Sequence, residues 1–499
     1  MTSWQPLFPP RGWRLVAAQG TVGAAAYALA MALRFVDEGS IPTTYALRLI
    51  PWALVGAVQA IGAGALAARL RRPHAALADR PVTPFVVAGL VSVVVVLGIN
   101  RLLPVGFTLP TSVAVIGPLL ASAGVAALHV ASARSAFAPD DLLGRRTVQL
   151  DVDACAPVLS GKHVLITGAA GSIGTELARQ VLTLGPSLLT LVDVNETGLF
   201  ELDAALAPQR DGVPVRLRMA DVADRRRIQQ LFAEEQPSAV FHAAAYKHVP
   251  MVEANPEQGF SSNVLGTLAV CEAAIAAGAE RVVVISTDKA VNPTSVMGLT
   301  KRVAELLVAG LGSQTPGTVL SAVRFGNVLG SRGSVVPTLM RQIDAGGPLT
   351  ITHPDAYRYF MTISEAANLV LRTATNDASG AVFVLDMGEE LRIVDLAERL
   401  VRLRGLRPGR DVAIEYIGLR PGERLHEQLI GTGERLVETD QPWVLRVAAD
   451  YSVDAGEVLG GVEALDARRR GGGLAPDAYA PALQALVDAA VRPAQPSLA

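Results

Sequence analysis

Four uncharged apolar stretches, residues 15–33, 50–68, 81–99 and 109–131, occupy most of the first 135 residues of this 499-residue chain. Each is close to the ~20 residues that carry an α-helix across a bilayer. None contains Asp, Glu, Lys or Arg, and polar groups such as Gln59 and His129 can be satisfied inside a small bundle. Four such spans in near succession argue against a buried soluble bundle. A cleaved signal peptide fits poorly because three further spans follow the first. Arg11 and Arg14 precede the first span, Arg69, Arg71, Arg72 and Arg80 crowd the loop after the second, and Arg134, Arg145 and Arg146 follow the fourth. The other two loops carry Arg34 and Arg48 beside Asp37 and Glu38, and Arg101 alone. The positive-inside rule then places both chain ends in the cytoplasm. The expectation is a multi-pass anchor in the inner membrane over residues 1–135, a juxtamembrane linker over 136–160, and a cytoplasmic catalytic domain beyond.

Composition narrows the remaining choices. A net charge of −2 gives no electrostatic reason to bind nucleic acid. Two cysteines, Cys155 and Cys271, make neither a disulfide framework nor a zinc site, and are read as small buried hydrophobes.

Past Arg146 the pattern changes. Strand-length apolar runs at 162–167, 188–193, 215–219, 239–242, 281–286, 319–325 and 381–385 alternate with helical patterns such as 172–184 and 291–311. That alternation predicts a parallel, doubly wound α/β sheet. The first strand runs into Thr167-Gly168-Ala169-Ala170-Gly171-Ser172-Ile173-Gly174, which opens a helix. Glycines there let the backbone turn tightly and approach a pyrophosphate at a helix N-terminus. Asp193 closes the second strand, 19 residues past Gly174. Its carboxylate can take hydrogen bonds from ribose hydroxyls and would repel a 2′-phosphate, so NAD is expected rather than NADP. Asp221 and Val222, after the third strand, suit an adenine contact, while Asp221 suits a helix cap nearly as well. The expected layout is a Rossmann-type NAD domain at 161–325, a smaller substrate lobe at 326–450 that returns elements to the sheet, and a partly mobile tail at 451–499.

Longer motifs sharpen this. The runs FHAAAYKHVP at 241–250, STDKAVNP at 286–293, RFGNVLGSRG at 324–333, YRYFMT at 357–362 and LRPGE at 419–423 resemble the membrane-bound, CapD-like UDP-N-acetylglucosamine 4,6-dehydratases of the extended short-chain dehydrogenase/reductase family. The resemblance covers roughly residues 141–430. Long members of that family carry a further domain between anchor and catalytic domain; here only a short segment, 136–160, separates the two.

The resemblance implies NAD-dependent removal of water across C5 and C6 of a UDP-N-acetylhexosamine, by an enzyme expected to be a homo-oligomer. It assigns Asp288 as the acid for the C6 hydroxyl and Lys289 as the base for the C5 proton. Those roles ask for a protonated Asp288 and a neutral Lys289, the directions in which burial moves such groups. Ala243 and Ala244 join Gly168, Gly171, Ser172, Ile173, Gly174, Asp193, Asp221 and Val222 at the cofactor. The family's tyrosine–lysine pair, four residues apart on a helix, reads here as Met297 and Lys301. Lys301 can hold the nicotinamide ribose, but Met297 transfers no proton, so Thr287 with a lysine behind it is the candidate relay for the C4 hydroxyl. Lys247, His248, Asn327, Arg332, Arg358, Arg420 and Glu423 are expected at the sugar, diphosphate and uridine. A UDP-sugar 4-epimerase and a catalytically silent nucleotide-sensing scaffold remain the alternatives.

Overall fold

The computed structural model describes residues 152–493, together with residues 142, 143, 145, 25, 26 and 28–30. The chain divides into two compact units, Met1–Ala136 and Phe137–Ala499. The described residues of the first unit, 25, 26 and 28–30, are helical and fall in the first expected span. The other three spans, and the arginine-rich loops that orient them, lie outside the described residues. Among the described residues one helical run, Pro256–Ala276, is long and apolar enough to cross a membrane, and most of it is buried within the fold.

The second unit is built on one nine-stranded sheet. Six strands follow the predicted runs: β1 His163–Thr167, β2 Leu188–Asp193, β3 Val215–Met219, β4 Ala239–His242, β5 Arg281–Ile285 and β6 Val319–Arg324. All six pair in parallel, in the order β3-β2-β1-β4-β5-β6. The inner strands, buried on both faces, read as largely continuous apolar runs, whereas the edge strand β3, VRLRM, alternates and has no buried residue. The chain then leaves the sheet. It forms β7 Asn327–Leu329, parallel to β8 Phe360–Thr362, before β9 Ala381–Leu385 returns beside β6. Two antiparallel strands, β10 Glu434–Glu438 and β11 Val444–Ala449, finish that edge.

The helices start where local chemistry sets them. α1 Ser172–Thr183 opens directly after Gly171. α2 Arg225–Glu235 is capped by Asp224, whose side chain accepts the Arg227 N–H. α3 Gly266–Ala276 follows a π turn at Ser261–Leu265. α4 Val296–Gln314 begins later than its periodicity suggests, because Pro293 lies upstream and Ser295 supplies the cap, accepting from Gly298 N–H at 3.0 Å. α5 Val335–Ala345 follows Ser334, and α6 Ile363–Thr373 carries a full capping box from Thr362 and Glu365.

The expected tail carries two helices. α7 Ala455–Arg470 and α8 Tyr479–Ala490 pack on α4, and their buried Val458, Val462, Tyr479 and Leu483 join the core on that side of the sheet. Gly471 caps α7. Residues 491–493 pair with Tyr451–Val453. Thus burial holds the two helices, and strand pairing holds residues 491–493.

Candidate active site

Strand order reverses between β1 and β4, and in open α/β sheets ligands bind beyond the strand ends at such a point. A cavity of about 470 Å³ opens there. Its floor is the glycine turn. Gly168 has φ +67°, and a Cβ on it would lie 2.5 Å from the Ala244 backbone nitrogen. A Cβ on Gly174 would run into the Gly168 carbonyl, and one on Gly171 would lie 3.1 Å from that same oxygen. The turn therefore brings bare backbone and the α1 N-terminus to the cavity, where Ser172 and Ile173 also sit. Asp193 stands beside the turn at the end of β2, its Oδ2 accepting the Ala170 N–H at 2.9 Å. Asp221 lies farther out and caps a turn, its Oδ1 accepting from Ala223 N–H at 2.9 Å; neither it nor Val222, which packs on Gly266, lines the cavity.

The opposite wall comes from the end of β5 and the start of α4. Met297 and Lys301, one turn apart, both face the cavity and are 2% and 5% exposed. Burial pulls the Lys301 ammonium down to about 8, against the opposing charge of Glu305 one turn farther. Thr287 and Lys289 also line the cavity. Asp288 does not. It opens a tight turn, Asp288–Ala290, that turns its side chain beneath Gly326, where it is 1% exposed. Its Oδ1 accepts from the Thr287 hydroxyl at 2.9 Å and from Lys289 Nζ at 2.9 Å. Its Oδ2 is buried with no hydrogen-bond partner.

The expectation of a neutral Lys289 is corrected here. Burial alone would lower its pKa, but the Asp288 and Glu427 carboxylates outweigh burial and hold it above the ordinary lysine value. The turn therefore rests as an ion pair.

Loop residues after β4 and β7 close the cavity. Lys247 Nζ lies 3.3 Å from Ser331 Oγ, and withdrawal from water lowers the Lys247 pKa. His248 packs its ring against Gly333, where an added Cβ would lie 2.7 Å from Cε1. Burial and the nearby Lys247 charge both keep that imidazole below its usual pKa. Asn327 and Arg332 line the same wall, and the Arg332 N–H donates to Ser172 Oγ at 3.0 Å, tying the two loops together.

Residues 164–449 match the polysaccharide biosynthesis protein family. The chain belongs to that family. It is 47% identical over 299 residues to the capsular polysaccharide biosynthesis protein CapD of Staphylococcus aureus, a match covering 59% of this chain and 49% of that protein. The chain therefore spans about half the length of that relative. It is 43% identical to an archaeal relative, the uncharacterized membrane protein MJ1061 of Methanocaldococcus jannaschii, over 59% of this chain and 87% of that protein. Among solved structures, Pen from Bacillus thuringiensis superposes with a TM-score of 0.54 at 32% identity, covering 58% of this chain and 88% of that one.

Three expected substrate residues of this family member stand elsewhere. Arg358 is 8% exposed, and its guanidinium donates to the carbonyls of Tyr357, Leu425 and Arg424 at 2.6, 3.0 and 2.8 Å. The bonds to Leu425 and Arg424 fasten residues 424–425 to the strand that carries Arg358, and the side chain does not line the cavity. Arg420 and Glu423 cap their own turn, Arg420 N–H donating to Glu423 Oε2 at 3.2 Å, and neither lines the cavity. Conversely, Tyr246, Ser286, Ser331 and Ser334 line it without having been expected. Tyr246 and Ser331 lie inside recognisable motifs. No spacing rule picks out Ser334, which matters because it precedes α5.

Proposed function

We propose that this protein is an NAD-dependent 4,6-dehydratase acting on a UDP-N-acetylhexosamine, UDP-N-acetylglucosamine first, for cell-surface polysaccharide synthesis. The observation that carries this reading is the Thr287–Asp288–Lys289 cluster, a hydroxyl, a carboxylate and an amine hydrogen-bonded at the end of β5 across the cavity from the glycine turn. An epimerase needs one proton-transfer path at C4; an elimination needs an acid and a base together.

The glycine turn fits a dinucleotide, because the positions where a Cβ would clash are those where a pyrophosphate must approach backbone. Asp193 beside it suits a ribose with free hydroxyls. Bound there, NAD would supply reversible hydride storage between C4 and C6. The remaining steps fall to this chain. Thr287 takes the C4 hydroxyl proton and passes its own to Asp288 Oδ1, a role that leaves Met297 as a packing residue. Neutral Lys289 takes the C5 proton. Asp288, reaching the cavity through the Thr287 hydroxyl, returns a proton to the C6 oxygen, which departs as water. Lys289 then gives its proton back to C5, leaving an Asp288 carboxylate and a neutral Lys289 ready for the next sugar. The ion pair of the resting site is this working state with one extra proton on Lys289, so activity should rise toward alkaline pH.

The decisive experiment is incubation with UDP-N-acetylglucosamine in deuterated water, read by NMR. A 4-keto-6-deoxy product with deuterium at C5 is expected. A C4 epimer, or unchanged sugar, would sink the proposal.

The four apolar spans are proposed as the anchor that keeps this chemistry at the cytoplasmic membrane face, supported by their length, their lack of charge and the arginines between them. Detergent, not high salt, should therefore extract the protein from membranes. The extracted protein should yield NAD rather than NADP on denaturation. Release by salt would argue against the anchor, and recovery of NADP against the role of Asp193.

A further inference from the structure

The catalytic turn is stapled to one loop, residues 420–429. Asn292 Nδ2 donates to Gln428 Oε1 at 2.8 Å, the Thr294 hydroxyl donates to the Gly422 carbonyl at 3.3 Å, and Arg424 donates to the Val291 carbonyl at 3.4 Å. The same loop delivers Glu427, whose side chain is 5% exposed and whose Oε1 lies 3.3 Å from Lys289 Nζ. The ammonium of Lys289 therefore sits between two carboxylates, Asp288 from its own turn and Glu427 from the loop. Arg358 flanks Glu427, with Nε 3.7 Å from the same oxygen.

We propose that Glu427 is a positioning residue for Lys289: with Asp288 it clamps the Lys289 ammonium at the cavity edge and so sets how readily that lysine is freed to act as a base. The kinetic consequence rests on the dehydratase reading; the clamp itself does not.

The influences on Lys289 oppose one another, and the two carboxylates prevail. Asp288 and Glu427 favour the ammonium, while burial and Arg358 oppose it. Tyr359, whose pKa is raised by burial and by Glu390 and Asp288, carries no charge at neutral pH. Removing Glu427's charge leaves one carboxylate facing Lys289 and leaves Arg358 without its acidic neighbour. Both changes make the lysine lose its proton more easily. The loop position gives the clamp a second property. Glu427 moves with residues 420–429, so anything that shifts that loop shifts the proton affinity of Lys289 without touching the sugar.

The test uses the full-length protein in detergent. Glu427→Gln keeps the size and hydrogen-bonding capacity of the side chain and removes its charge; Glu427→Asp keeps the charge on a shorter stem. Lys289 is labelled with an amine-selective anhydride across a pH series and its peptide quantified by mass spectrometry. In Glu427→Gln the labelling midpoint should fall by roughly 1–3 pH units, the range one opposite charge at this distance commands. Glu427→Asp should restore it in part. The alkaline-rising limb of turnover should move to lower pH by the same amount, whereas a merely structural loop residue would lower turnover at every pH without moving the limb. An unmoved labelling midpoint in Glu427→Gln overturns the proposal. A midpoint that falls while the turnover limb stays put supports the clamp and overturns Lys289 as the base.

Discussion

In Lys289→Ala the C5 proton of UDP-N-acetylglucosamine no longer exchanges with solvent, and turnover falls by about 10²–10⁴-fold, the range for loss of one positioned acid or base. The expectation rests on geometry. Lys289 is the amine at the end of β5 that both lines the cavity and touches Asp288, 2.9 Å away. Lys301, the buried lysine of that wall, sits one turn into α4 beside Met297. Its pKa is pulled down to about 8, which suits it to hold a ribose hydroxyl in either protonation state. Thr287→Val should be comparably severe, since it keeps the side-chain shape but cuts the hydroxyl through which Asp288 reaches the cavity. Yet the two variants should differ in what survives. Without Thr287, C4 oxidation stalls and no reduced cofactor absorbs near 340 nm. Without Lys289, C4 oxidation proceeds and reduced cofactor accumulates with a 4-keto sugar that cannot eliminate. Single-turnover absorbance separates them. Normal C5 exchange in Lys289→Ala would remove this lysine from the reaction.

Much of this arrangement was legible because it is written in local chemistry. Strands β2, β4 and β9 match their predicted limits, since a strand covered on both faces is largely apolar from end to end, and the edge strand β3 matches because Val215 and Leu217 alternate with Arg216 and Arg218. The glycine turn was legible for a similar reason: Gly168, Gly171 and Gly174 each occupy a place where a side chain would strike backbone. What the sequence hid is long-range. The edge strand β10 and its neighbour β11 are half exposed and carry Glu434, Arg435 and Arg446, so neither periodicity nor apolarity marks them. The place of Arg358 was not legible because an arginine beside a motif looks the same whether it faces a phosphate or, as here, the neighbouring carbonyl and two carbonyls of a loop 66 and 67 residues onward. Glu427 was missed because its partner Lys289 is brought to it only by the fold. The ion pair it helps to make is also why Lys289 is not the neutral amine that burial alone suggested.

The largest expected loss of stability comes from a residue no motif singled out for it. Arg324 ends β6 with no exposure, and its guanidinium meets Glu305 at 2.8 and 2.8 Å and Glu434 at 2.6 and 3.1 Å. Glu305 also accepts from the Ser286 hydroxyl at 2.7 Å, directly before Thr287. Arg302 bridges the same two carboxylates at 3.0 and 3.4 Å and donates to the Tyr451 hydroxyl at 2.7 Å. Arg324→Met fills the volume but leaves two buried carboxylates to share one arginine. The cost should be about 3–5 kcal/mol, because a charge left buried without its partner keeps the desolvation penalty and loses the attraction. The denaturant midpoint of the full chain would read it. Adding Glu305→Leu to that variant should recover part of the loss, since one arginine then faces one carboxylate. The penalty should also depend on pH. Burial would raise the Glu434 pKa, but hydrogen bonds and charge from Arg324 overturn that and bring it from 4.5 to about 2. A depressed carboxylate contributes its stability above its unfolded pKa and loses it as pH falls through the folded value. Wild type should therefore lose this contribution between about pH 4.5 and 2, while Arg324→Met, already without it, loses less over the same range, so the gap between the two narrows in acid. A gap that stays constant across that range, or a penalty below about 1 kcal/mol at neutral pH, would mean that Arg302 alone satisfies both carboxylates and that Arg324 serves packing rather than charge.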